Sequence, residues 1–345
     1  MKYLKRQIDK ELEAWKSSEE HKPLLLRGAR QVGKSSAIRH LGESFPYLLE
    51  VNFERDKTIK EFFDGDLDVK FISEQLSAYF KVPVIPGKTL LFLDEIQACP
   101  NAIHSLWFFK EDYPELHVVA AGSLLEFALK DLSAYGVGRI RSMFVYPMSF
   151  DEFLTATRQE GLLRIKRNSS PTNPLPEAFY NRLVEAFRSY MLVGGMPEAV
   201  ARYADNHDIV ALHDVYDTLL RSYSEDVEKY AKTETMKNVI RLLLKNGWTY
   251  STEQITLGNF AESNYKAREM GEALRTLERT YLLELTYPIT TYPLPALQEH
   301  RRKPKLFWLD AGLINYAANI QQEVMFSDNI MDTWRGKLAE QLVAQ

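Results

Sequence analysis

Hydrophobic and polar positions alternate in blocks along the first half of the chain. Short apolar runs occur at Pro23 to Arg27, Tyr47 to Phe53, Thr89 to Leu93, His117 to Ala121 and Arg141 to Tyr146. Between them, Lys34 to Leu41, Phe71 to Phe80 and Ala102 to Glu111 read as helices. Strands that alternate with helical segments predict an α/β domain, a parallel sheet with helices on both faces. Strands covered on both faces have to be apolar almost throughout, as Leu90-Leu91-Phe92-Leu93 is.

The pattern changes after Arg164. Lys166, Arg167, Asn168, Ser169 and Ser170, with the prolines up to Pro176, predict an exposed linker. Glu177 to Tyr230 then reads as helical, interrupted at Gly194-Gly195-Met196-Pro197. From Thr235 to Pro288 come three helix-like stretches, with apolar runs at Tyr281 to Leu285 and Lys305 to Leu309. Three helices and a hairpin outline a winged helix. Arg335 to Gln345 reads as the start of a further helix.

Composition narrows the classes. Hydrophobic residues make up 45% and charged residues 26% of the 345, as in globular proteins. A formal net charge of −4 gives no global attraction to nucleic acid or acidic membranes, though a local basic face is compatible with it. The single cysteine, Cys99, excludes an internal disulfide and a cysteine cluster, and fits a reducing compartment. The first residues alternate in charge and carry no signal-like apolar run. No stretch approaches the roughly 18 apolar residues of a membrane helix. A cytoplasmic protein without a membrane span is expected.

The chemistry concentrates in Gly28-Ala29-Arg30-Gln31-Val32-Gly33-Lys34-Ser35, a full match to G-x-x-x-x-G-K-[ST] between a strand and a helix. Glycines let the backbone curl so that its N–H groups face phosphate oxygens. Lys34 brings a compact positive charge to the β- and γ-phosphates, and Ser35 offers a hydroxyl to Mg²⁺. The helix opening at Ser35 and Ser36 adds its positive end. The second part is Asp94-Glu95, at the end of a buried strand and so at the ligand-binding edge of the sheet. Asp94 is placed to hold the Mg²⁺ shell, and Glu95 to polarise the attacking water. The expected ligands are therefore ATP and Mg²⁺. GTP is disfavoured because no N-K-x-D segment follows Glu95.

Two further positions are candidates. Ser123, after the strand ending at Ala121, can sense the γ-phosphate; it also precedes Glu126 by three, as a helix-capping serine does. Gly138-Arg139-Ile140-Arg141 can bring a guanidinium to the transferring phosphate, from Arg139, taken as the candidate, or from Arg141; a solvated loop arginine is the alternative. The seven histidines show no metal spacing, and no nucleophile elbow supports a Ser-His-Asp order. Lys266, Arg268, Arg275 and Arg279 lie on the third helix of the winged-helix outline, and Lys266, Arg268 and Arg275 suit a nucleic-acid groove, with Ser263 capping the helix start. The interleaved Glu262, Glu269, Glu272 and Glu278 suit a wet, ion-paired face instead.

These residues bring a family into view. Leu26 to Ser35, Leu93-Asp94-Glu95-Ile96-Gln97, Ala121-Gly122-Ser123, Gly138-Arg139, the segment Tyr146 to Phe153 ("YPMSFDEF"), Gly194 to Glu198 ("GGMPE") and Phe307 to Leu313 ("FWLDAGL") together resemble prokaryotic AAA-like ATPases with a C-terminal DUF4143 region. The resemblance spans nearly the whole chain. It implies a P-loop NTPase core with strand order 5-1-4-3-2, a helical segment, a winged helix and a downstream nuclease-like fold. Gly336 to Glu340 resembles the glutamate-bearing helix that opens such a fold, but the chain ends five residues later, at Gln345. Either the chain is truncated or the protein lacks that module, and no nuclease activity is expected of this sequence.

The expected organisation is an ATPase domain at 1–160, a linker at 161–176, a helical domain at 177–232, a winged-helix-like domain at 233–310, and the incomplete start of a nuclease-like region at 311–345. The expected function is Mg²⁺-dependent ATP hydrolysis coupled to the C-terminal domains. The alternatives are a non-hydrolysing nucleotide switch and a DNA-binding regulator with an auxiliary ATPase core. The winged-helix region would supply the contact to a DNA or protein partner. Oligomeric state is not written in these residues.

Overall fold

The structure is a computed structural model that describes residues 3–129, 138–231, 233–289, 297–320 and 336–345. It divides into two compact units, Met1–Tyr146 and Pro147–Gln345. The division falls ahead of Pro147-Met148-Ser149-Phe150, not at residue 160.

The first unit holds a five-stranded parallel sheet: β1 (Leu24–Arg27), β2 (Tyr47–Asn52), β3 (Thr89–Asp94), β4 (His117–Ala121) and β5 (Arg141–Phe144), in the order β2-β3-β4-β1-β5. Read from the other edge, this is the 5-1-4-3-2 order expected. Every residue of β3 and β4 is buried, which explains their near-unbroken apolar sequence. Leu49, Val51, Leu91, Leu93, Val118 and Ala120 pack with α3 (Val69–Phe80) and α4 (Pro100–Asp112) on one face. On the other, α2 (Lys34–Gly42) lies against the central strands and is itself covered by α1 (Ile8–Lys16). The helix α1 buries Ile8, Leu12 and Trp15, and a short α5 (Leu125–Leu129) follows β4.

In the second unit, α6 (Phe150–Ala156) begins with a capping box, in which Ser149 N–H donates to Glu152 Oε2 at 2.7 Å. The expected linker is not wholly a linker: its first residues belong to α7 (Glu160–Arg167), which buries Leu162 and Leu163. The basic run there is paired, with Lys166 and Arg167 reaching the Asp151 carboxylate at 2.8 and 3.1 Å. Next come α8 (Glu177–Val193), α9 (Pro197–Asn206) and α10 (His213–Glu228).

The turn between α8 and α9 explains its own sequence. Gly194 has φ 64°, and a Cβ there would lie 2.3 Å from an oxygen of Asp310. Gly195 O accepts from Met148 N–H at 2.6 Å, and Gly195 N–H donates to Asp310 Oδ2 at 2.5 Å. Asp310 also caps α13 (Ala311–Ala317) through Leu313 N–H at 3.0 Å. Thus the "GGMP" and "LDAG" segments meet at one buried carboxylate, and "PMSF" joins them through Met148 on the Gly195 backbone. Burial pushes the Asp310 carboxyl up to about 6, against the pull of the N–H groups that donate to it.

Between α10 and Asp310 lie α11 (Glu234–Asn246), α12 (Ala267–Arg279) and an antiparallel hairpin of β6 (Leu283–Thr286) and β7 (Lys305–Trp308). The middle one of three expected helices is absent as such: Gly247–Tyr250 and Phe260–Glu262 are single 3₁₀ turns. Thr252, Asn259, Ala261 and Glu262 all take positive φ, which breaks any helical run there. Ser263 does not cap α12, whose first turn is closed by Glu269 Oε2 accepting from Lys266 N–H at 2.9 Å. The terminal α14 (Lys337–Ala344) buries Leu338 and Gln341, and its Glu340 pairs with Lys305. No described helix is long and apolar enough to cross a membrane.

Candidate nucleotide site

The loops that leave β1, β3 and β4 open at the same edge of the sheet, because the strands are parallel and in register: Leu26 pairs with Ala121, and Asp94 pairs with both Ala121 and Asn52. That register brings the two halves of the candidate site together.

After β1 the chain turns through Gly28 (φ 133°), Gln31 (φ 61°) and Gly33 (φ 98°). Gly28 is forced twice over, because a Cβ would also come within 2.1 Å of Val145 O. Ala29 and Val32 are buried and anchor the loop, whereas Arg30 is half-buried and Ser36 is exposed on the first turn of α2. The Lys34 ammonium is buried and donates to Gly28 O and Ala29 O at 2.9 and 2.6 Å. Burial lowers its pKa to about 8, with a push from Arg30 in the same direction; Glu95 and Asp94 oppose it.

Ser35 Oγ donates to Asp94 Oδ1 at 3.1 Å, so the hydroxyl and the carboxylate expected to share a cation are neighbours. Asn52 Nδ2 donates to the other oxygen of Asp94, also at 3.1 Å. Burial, and then Glu95, raise the Asp94 pKa, while the Ser35 hydroxyl holds it down. Among the described residues no group of three or more His, Cys, Asp or Glu could hold a metal. The pair at Ser35 and Asp94 is oxygen-only and small, which fits Mg²⁺, an ion that takes one or two protein oxygens and completes its shell with phosphates and water.

Glu95 is half-buried in a left-handed conformation, φ 49°, and its Oε2 accepts from Gln97 Nε2 at 2.7 Å. Ser123 is buried just past β4, at the same edge. It does not occupy the N-cap position, since α5 begins at Leu125, and the Glu126 carboxylate pairs with Arg27.

Arg139 is not brought to this edge. Arg141 pairs with Leu24 at the start of β1, so Arg139 lies beyond the opposite end of the sheet from the loop. There its guanidinium meets Glu111 Oε1 at 2.5 Å and stacks 5.1 Å above the Trp107 ring, near the end of α4. A flexible glycine-flanked arginine reads as a phosphate ligand in sequence, but here strand direction carries it away.

Three further residues have roles at the site that no sequence motif assigns. Arg6 is buried, with Nη1 on Val32 O at 2.8 Å and Nη2 on Tyr146 O at 2.7 Å, tying the phosphate loop to the end of β5. Asn52 had a usable signal, as the last residue of the strand paired with the Asp94 strand. Gln97 stands two residues after Glu95, and its spacing alone assigns it no role.

Residues 20–154 match the family model described as an AAA domain, and residues 184–324 match a domain of unknown function, DUF8612. The "GGMPE" and "FWLDAGL" segments fall inside the second match, so the expected DUF4143 region is not supported. No curated protein matches the sequence. Among solved structures, the Walker-type ATPase paby2304 of Pyrococcus abyssi is similar over 92% of this chain and 96% of its own, at 15% identity and a TM-score of 0.50. Aeropyrum pernix Orc1 in complex with DNA matches over 94% and 95%, at 11% identity and a TM-score of 0.31. The Thermotoga maritima RuvB Holliday junction branch migration motor matches over 86% and 93%, at 15% identity and a TM-score of 0.36. Family match and fold agree with the geometry: residues 20–154 form an AAA-type domain of the P-loop ATPase kind.

Proposed function

We propose that this protein is a Mg²⁺-dependent ATPase. The observation that carries the reading is the 3.1 Å contact between Ser35 of the phosphate loop and Asp94 at the end of β3. It joins two motifs, remote in sequence, at one cation-sized position. The curled backbone of Gly28 to Gly33 and the Lys34 ammonium hold the β- and γ-phosphates. Ser35 and Asp94 hold Mg²⁺, which supplies charge neutralisation at the phosphate oxygens. Glu95 takes a proton from the water whose oxygen bonds to the γ-phosphorus, as the bond from that phosphorus to the β-phosphate oxygen breaks and ADP leaves. Ser123, just past β4 at the same edge, is the side chain that would sense the γ-phosphate. The buried free thiol of Cys99 agrees with a cytoplasmic setting.

The test is a pair of variants. Lys34→Ala should lose saturable ATP binding, and Glu95→Gln should keep binding but lose about 10²–10⁴ in turnover. Single-turnover phosphate release no faster than in buffer from the intact protein would favour the non-hydrolysing switch instead.

A second reading concerns the partner. In the α12 region two of the interleaved glutamates are committed to backbone groups: Glu269 to Lys266 N–H, and Glu278 to Leu285 N–H at 3.1 Å. Lys266, Arg268 and Arg275 remain exposed there, with Arg301 and Lys303 exposed on the chain entering β7. A helix followed by a hairpin, with Gln254 bridging to Lys305, supports a winged helix that binds duplex DNA. Affinity should fall steeply with salt and drop in Arg268→Ala and Arg275→Ala. Its dependence on ATP against ADP would report the coupling to the nucleotide. No binding at low salt would remove this reading.

A further inference from the structure

We propose that Gln97 is a positioning residue for the Glu95 carboxylate, and that residue 122 is glycine to make room for it. The inference rests on the reading of Glu95 as the group that activates water.

Glu95 leaves β3 in the left-handed region, and the 3₁₀ turn Ile96–Ala98 folds the next residues back toward it. The Gln97 amide thereby comes to donate to Glu95 Oε2 at 2.7 Å. The hydrogen bond fixes one carboxylate oxygen and leaves Oε1 to accept the proton of water. The amide cannot be turned over, since its oxygen would then face the carboxylate.

Holding the amide in this place carries a cost. Gln97 Oε1 is buried and has no hydrogen-bond partner among the described residues, and a buried unpaired amide oxygen is destabilising. An aliphatic side chain of similar length would fill the same space without that penalty, so packing alone does not account for a glutamine. What the amide provides in return is its donor on Glu95.

Gly122 gives independent support. Its backbone needs no glycine, for it is not among the residues with positive φ. A Cβ there, however, would lie 2.0 Å from Gln97 Oε1 and 3.1 Å from its Cδ. The glycine at the end of β4, next to Ser123, is explained by the amide that occupies its missing side chain. The strand that bears Ser123 and the turn that bears Glu95 are thus fitted together through Gln97.

The experiment measures kcat, KM and nucleotide affinity for Gln97→Leu, Gly122→Ala, the pair Gly122→Ala/Gln97→Ala, and Glu95→Gln. Gln97→Leu and Gly122→Ala should each lower kcat about 10- to 100-fold with KM and affinity within about twofold, because a displaced base loses orientation and not ligand contacts. Gly122→Ala/Gln97→Ala removes the clash, so its thermal midpoint should recover toward wild type while kcat stays low. A structural role alone would restore both. In a Glu95→Gln background, Gln97→Leu should add no further loss. Wild-type kcat in Gln97→Leu, or recovery of kcat in the pair, would overturn the inference while leaving Glu95 as the base. Wild-type turnover in Glu95→Gln would overturn the underlying reading itself.

Discussion

Asp94 is served by two neutral donors, Ser35 on one oxygen and Asn52 on the other. The Asn52 amide is not free to turn, because its Oδ1 accepts from Glu54 N–H and Arg55 N–H at 3.1 and 2.9 Å. Its Nδ2 is therefore aimed at Asp94 by the turn that follows β2. A carboxylate held this way presents its remaining lone pairs in a fixed direction, as partners behind a metal ligand generally do. Replacing Asn52 by Leu should raise the Mg²⁺ concentration needed for half-maximal turnover about tenfold, with nucleotide affinity in chelator unchanged. A Mg²⁺ titration with unaltered midpoint would show that Asp94 needs no such support. Gly28→Ala belongs to the same scale but acts differently: its Cβ would strike Val145 O, and loss of all nucleotide binding is expected.

Among the elements, β4 combines a legible strand with a feature that only packing explains. Its first residue, His117, is buried and stacks on His21 at 3.8 Å, with the edge of Trp15 against it and Nε2 at 3.0 Å from Lys16 O. Burial, and then His21, pull its pKa down to about 4. The unfolded chain, with histidine near its ordinary 6.5, binds the proton more readily than the folded one. Stability from this group is complete above about pH 6.5 and falls as the pH drops toward about 4. The thermal midpoint of wild type should decline over that window, and His117→Gln should decline less; parallel curves would show that His117 stays neutral for no structural gain. The strands were readable because burial on both faces leaves the middle of β3 and all of β4 after His117 apolar. The helix α7 was not, since it buries only Leu162 and Leu163, and Lys166 and Arg167 are matched by Asp151, on a different helix. The same contrast holds at the site. Loop glycines, Lys34, Ser35 and Asp94-Glu95 stand out because phosphate and metal chemistry demands those residue types at fixed spacing. Asn52 and Arg6 act across 42 and 26 residues of chain, and no local pattern marks such a contact.

At the scale of the whole molecule, the place of Arg139 decides whether one chain can be a complete catalyst. Four residues of β1 separate the level of Arg141 from the phosphate loop, about 13 Å at 3.3 Å per residue, and Arg139 lies further back still. The helix α4 starts near the Asp94 edge and ends near the opposite one, so Glu111 and Trp107 hold the guanidinium on the far side. No rotamer of Arg139 spans the sheet, and any phosphate it meets must be bound to another copy of the chain. Arg139→Ala should then keep the wild-type affinity for ATP and lose turnover. Lys34→Ala should lose binding but still carry an intact Arg139. Mixed at high concentration, the two inactive variants should hydrolyse ATP, because a copy with a sound loop can receive the arginine of a copy without one. Full activity of Arg139→Ala by itself would reduce this residue to the surface ion pair it forms with Glu111, and would leave the phosphate loop, Asp94 and Glu95 as a sufficient catalytic set within a single chain.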